Sequence, residues 1–191
     1  MRRALAAGIG FVAFLGVLLL AVQPSLWVGL VGVGDYDRGT VTVYENGTGA
    51  ATATGTSPTE EATTVAAQSV DGKRLATVEV RIAATASQRY VGLSETASLA
   101  PDEGMLFVHD EVDSHAYVMR NMSFPLDIVF VDADGTVTTI HHAALPPAGT
   151  GNEDLRRYRG RGKYVLEVNR GWTNRTGVEV GDRVVVPEGV R

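Results

Sequence analysis

The chain predicts a mainly β fold, a compact antiparallel β-sandwich or barrel with one short helix, preceded by a single transmembrane helix and a flexible linker. Three observations carry that expectation. Short Val/Ile/Phe-rich runs, residues 126–131 and 164–169 among them, fit strands in which neighbouring side chains alternate between faces. Turn signals punctuate them, at Asp71-Gly72, Asp132-Ala133-Asp134-Gly135 and Gly181-Asp182, and such turns join antiparallel neighbours. The strands follow one another too closely for helical crossovers, which argues against a parallel β-α-β architecture.

Composition narrows the function classes. With 191 residues, 45% hydrophobic and 20% charged, the chain is long enough for one ordinary domain plus accessories. It has no cysteine, so disulfides, thiol nucleophiles and Cys-based zinc sites are excluded. The formal charge of -5 weighs against nucleic acid as a partner, since backbone binding needs a basic surface. Arginine greatly outnumbers lysine, which fits a GC-rich genome or a salt-adapted, archaeal-type organism.

The first element, residues 4–22, carries no charge and has the length that spans a hydrocarbon core of about 30 Å. Arg2 and Arg3 precede it, so the positive-inside tendency leaves the N-terminus in the cytoplasm and the rest outside. Residues 1–30 are therefore expected to be a membrane anchor, with a cleaved signal segment as the alternative, and the protein a single-pass membrane protein. Residues 31–64 form a Thr/Ala/Gly-rich linker with little to bury, although Thr40 to Tyr44 has strand character. Residues 65–188 are the globular domain. Asn46, Asn121 and Asn174 each open a glycosylation sequon, of which the linker site is the accessible one.

Within the domain, residues 75–82 alternate as a strand, and Thr85-Ala86-Ser87-Gln88 is a capping box opening a helix to about Val91, with Gly92 as its stop. Arg89 projects from that helix. Residues 104–108 and 115–119 read as strands around an acidic loop, residues 126–131 and 136–141 as a hairpin, and residues 154–163 as a basic, glycine-broken excursion. A strand at 164–169 and a closing strand after Gly181-Asp182 complete the domain.

Two acids interrupt apolar strands. Asp127 heads a row with Val129 and Val131, and Glu167 faces away from Tyr164, Leu166 and Val168. A carboxylate in such a place needs a partner, and Arg120 is the nearest cation to Asp127. Three readings follow. Arg120, Asn121 and Asp127 satisfy one another structurally at a sheet corner; or Arg120 offers its fork to a small anionic ligand, with Asn121, Asp127 and Glu167 completing the site; or Met105, Met119 and Met122 with His109 and His115 bind copper, His141 and His142 lying one hairpin on. Enzyme chemistry is disfavoured, for the sequence has no G-x-S-x-G, H-E-x-x-H or P-loop motif and points to no cofactor, though Asp127 and Glu167 could form a carboxylate pair.

The segment from Tyr117 to Asp132, with Gly92-Leu93, residues 104–107, residues 165–168 and Gly171-Trp172, resembles the uncharacterised family catalogued as domain of unknown function 192. The resemblance implies a compact β domain in which the strands of Asp127 and Glu167 are neighbours, and Glu167 then pairs with Arg120 or Arg170. It implies no reaction. This chain departs from the family pattern at Ser94, where methionine is usual, and at Val118, where tryptophan is common. The expected role is a non-enzymatic binding or accessory module. A cell-envelope enzyme, a copper protein and a structural scaffold are the alternatives.

Overall fold

The structure, a computed structural model, describes residues 35–46 and 72–190. The expected anchor at residues 4–22 and most of the linker lie outside the described residues. Among the described residues no helix is long and apolar enough to cross a membrane.

Strands β1 (Asp37–Tyr44), β2 (Arg74–Ala83), β3 (Glu103–Tyr117), β4 (Leu126–Val131), β5 (Val137–Ala143), β6 (Tyr158–Asn169) and β7 (Arg183–Val185) form one sheet in the order β5-β4-β6-β3-β2-β1-β7. Helix α1 (Ala86–Val91) lies between β2 and β3, and the single turn α2 (Trp172–Thr176) follows β6. The sheet curls into a half-barrel. Thr136 bridges Arg183, Val137 N–H donates to the Asp182 carbonyl at 2.9 Å, and Val184 N–H donates to the Gly135 carbonyl at 2.7 Å, which brings the β4–β5 hairpin tip against the β7 edge. The barrel alternative is therefore nearer than the sandwich.

Several local expectations hold for the physical reasons that produced them. Thr85 Oγ1 accepts from Gln88 N–H at 3.2 Å while Gln88 Oε1 accepts from Thr85 N–H at 3.0 Å, the reciprocal capping box. Gly92 ends the helix at φ 52°, and a Cβ there would lie 3.2 Å from the Phe107 ring. All six residues of β4 are buried, as an apolar run covered on both faces should be.

Four expectations are corrected. The sheet is not wholly antiparallel: β2 and β3 pair in parallel, joined by a crossover over residues 84–102 that contains α1. A second helical turn, α2, stands where none was expected. The strand seen at Thr40 to Tyr44 is the eight-residue β1, paired with both β2 and β7, so sheet-forming sequence begins well before residue 65. Most of the basic excursion, residues 158–163, is instead the first half of β6, paired with the far end of β3. Its glycines are there for closeness. A Cβ on Gly160 would lie 2.3 Å from the Phe130 ring, and one on Gly162 would lie 2.5 Å from the Val131 carbonyl oxygen.

Two apolar layers result. Inside the curl, Val41, Val78, Val129, Leu166, Val168 and Trp172 share one cluster. On the outer face, Met105, Phe107, Ile128, Phe130 and Val165 share another, overlaid by Leu93 and by the folded-back end of β3.

Candidate functional site

Register decides which faces the two acids occupy. Asp127 stands opposite Val168, and Ile128 opposite Glu167. Residues directly opposite one another share a face. Asp127 therefore belongs to the inner layer and Glu167 to the outer one, although their strands are adjacent as the family resemblance implied.

Asp127 is fully buried and fully partnered. Its Oδ1 accepts from His142 Nδ1 at 2.7 Å, and its Oδ2 accepts from the Thr173 backbone N–H at 3.0 Å and the Thr173 hydroxyl at 2.8 Å. Burial alone would raise this carboxyl, but the bonds from His142, Thr173 and backbone N–H outweigh it and hold the group below its ordinary value. An ionised carboxylate only accepts, so His142 carries its proton on Nδ1. The cluster ties β4 to β5 and to the start of α2. Its partners are not Arg120, contrary to the expectation.

Glu167 is different. It is only 5% exposed, has no hydrogen-bond partner among the described residues, and lines a cavity of about 340 Å³ on the outer face. Burial pushes its carboxyl up to about 8, so at neutral pH it is mainly a protonated acid. Helix α1 and its cap supply Arg89, Tyr90 and Gly92 to the cavity wall; the end of β3 supplies His109, His115 and Tyr117; and Arg120 and Met122 follow it in the lining.

Local irregularity in β3 builds that wall. His109, Asp110, Glu111 and Val112 stand opposite Lys163 alone, because Val108 pairs with Tyr164 and Asp113 with Gly162. The surplus turns the strand back on itself, stacking the His109 and His115 rings at 3.5 Å and placing His109 Nε2 2.9 Å from the Tyr117 hydroxyl. Burial, with His115 and Arg89 adding to it, lowers His109 to about 4, so this ring is neutral at pH 7. Burial, reinforced by Glu167, raises Tyr117 far above a free phenol. Arg89 donates to the Val108 carbonyl at 2.8 Å and to the Ala84 carbonyl, and Arg120 donates to the Tyr90 carbonyl with its guanidinium 4.0 Å from the Tyr90 ring. At neutral pH the cavity thus carries two fixed guanidinium groups and a mainly uncharged acid.

Of the predicted ligand site, Arg120 and Glu167 meet at this cavity, Asp127 lies on the other face, and Asn121 is an exposed turn residue at φ 53°. The expected meeting of both acids with Arg120 does not form, and Glu167 pairs with neither Arg120 nor Arg170. Among the copper candidates, Met105 and Met119 are buried packing, while Met122, His109 and His115 line the cavity. The two imidazole planes lie within 12° of parallel, so their in-plane nitrogen lone pairs do not converge on one ion. Among the described residues no cluster of three or more His, Asp or Glu side chains could hold a metal. Arg89, Tyr90 and Tyr117 were not expected at the site; the only signal for them was the helical projection of Arg89 and the closeness of Tyr117 to Arg120 in sequence. Ser94 and Val118, where the chain departs from the family pattern, both line the cavity.

The fold and the site define a small β half-barrel domain with a polar cleft on its outer face. The chain belongs to the family domain of unknown function 192, described as Uncharacterized ACR, whose profile matches residues 66–186. It is similar to a crystal structure from Sinorhizobium meliloti 1021 described provisionally as a transcription regulator, at 29% identity and a TM-score of 0.59, covering 80% of this chain and 96% of that one. It is also similar to a protein of unknown function from Novosphingobium aromaticivorans DSM 12444, at 27% identity and a TM-score of 0.55, covering 78% of this chain and 84% of that one. No curated protein matches the chain.

Proposed function

We propose that the domain is a non-enzymatic binding module for a small anion, held in the cavity between α1 and the end of β3. The observation that carries this reading is Glu167, a buried acid without a hydrogen-bond partner among the described residues, on a cavity rimmed by Arg89 and Arg120. The Glu167 carboxyl opens on the cavity, where a ligand's hydrogen bonds engage it. Two guanidinium groups beside a mainly neutral acid favour an anion over a cation. The uncharged run at residues 4–22 behind Arg2 and Arg3 supports a module presented outside the cytoplasm by a single-pass anchor.

The test is mass spectrometry of small molecules retained by the purified full chain, wild type beside Arg120→Gln. A small anion released by the wild type and lost from the variant is the expected result. Release of no anion, or equal release from both proteins, would overturn the reading.

A further inference from the structure

We infer that the cavity takes a small hydroxylated organic anion, with its carboxylate or phosphate at the arginine rim and a hydroxyl group against Glu167. The inference rests on the binding reading above and narrows its ligand.

Size comes first. A volume of about 340 Å³ is at the small end for ligand pockets, and at ~30 Å³ for each water-sized group it admits roughly ten of them. The ligand is thus a metabolite-sized acid rather than a chain or a nucleotide.

Chemistry at the buried end comes second. A protonated carboxyl has one donor and one acceptor in the same plane. A hydroxyl also donates and accepts, so one hydroxyl satisfies both functions of Glu167, whereas an ether or a methyl group leaves one or both unpaired. A site built to hydrogen-bond a hydroxyl rejects the analogue lacking it far more strongly than an apolar pocket rejects a missing methylene. The groups facing the cavity with Glu167 are Arg89 and Tyr90 from α1, His109, His115 and Tyr117 from β3, and Arg120 beyond it. None is a second carboxylate that could recruit a cationic ligand.

Glu167 also sets a pH limit. Its proton is the donor, so as pH rises through about 8 the donor is lost and a negative charge appears beside the bound anion. Guanidinium groups stay cationic across that range. Binding is therefore strongest below pH 8 and falls above it.

The experiment is calorimetric titration of the full chain with D-gluconate and with hexanoate, which has the same carbon chain without hydroxyls, at about pH 6.5 and about pH 9. Gluconate is expected to bind at least tenfold tighter than hexanoate and to lose about tenfold between the two pH values, the ratio of protonated fractions for a group titrating near 8. Glu167→Gln keeps a donor and an acceptor but cannot titrate, so it should bind gluconate with a flat pH profile. Equal or tighter hexanoate binding, no binding of either acid, or an unchanged wild-type pH profile would each overturn the inference. Because the wild-type profile needs no variant, a folding defect in Glu167→Gln does not blunt the test. Arg120-dependent retention of some other anion would leave the general binding reading standing, which keeps the two failures distinct.

Discussion

Asp127 and Glu167 occupy neighbouring strands one register position apart, and that single step puts them on opposite faces of the sheet. One acid is ionised and closes a structural cluster; the other is mainly protonated and opens on a cavity. The same residue chemistry thus serves two ends, set by partners rather than by depth.

Asp127→Asn should destabilise the domain by about 2–3 kcal/mol, because it weakens charge-assisted bonds from His142 and Thr173 in a dry site. Thermal denaturation reads that loss. Anion retention by the folded variant should be unchanged, since the cavity is on the other face. Loss of retention at a temperature where the variant is folded would show that the two acids act together after all.

The two acids also pull the pH dependence of stability in opposite senses. Asp127 is lowered on folding, so its contribution is present above the unfolded carboxyl value and is lost as pH falls through the folded one. Glu167 is raised, so its penalty is absent below about 4.5 and grows as pH rises to about 8, reaching an upper bound of roughly 3–5 kcal/mol. Glu167→Gln should accordingly melt higher than wild type above pH 8 and close to it near pH 5. Chemical denaturation of both proteins at the two pH values checks the sign; a variant less stable at the higher pH contradicts it.

Much of this was legible in the chain. The capping box at Thr85 and Gln88, the Asp132 to Gly135 hairpin and the bounds of β4 follow from local chemistry, which a sequence displays. The alternation of residues 126–131 and of residues 164–168 also placed each acid correctly within its own strand. What could not be read was the register between those strands, which decides whether two acids share a face. The parallel pairing of β2 and β3 was hidden because the crossover over residues 84–102 has only one short helix and is otherwise irregular, which reads as a loop. Glycines 160 and 162 read as breaks in an excursion, whereas tight contact with Phe130 and Val131 explains them.

Gly160→Ala should therefore cost about 1–3 kcal/mol, since its Cβ would press into the Phe130 ring, which packs edge-on against Tyr117 and His141 and cannot retreat freely. Urea denaturation measures the loss. An alanine there that leaves stability unchanged would mean that the β6 arm does not lie tightly on the outer face.

The most direct measurement is the titration of the Glu167 side-chain carboxyl, followed by carbon NMR in the full chain with Glu167→Gln to assign the signal. A midpoint near 8 is expected, with the acid mainly protonated at neutral pH. A midpoint near the ordinary value of 4.5 would mean an ionised, paired or hydrated carboxylate, and the cavity would then lack the proton on which its ligand chemistry depends.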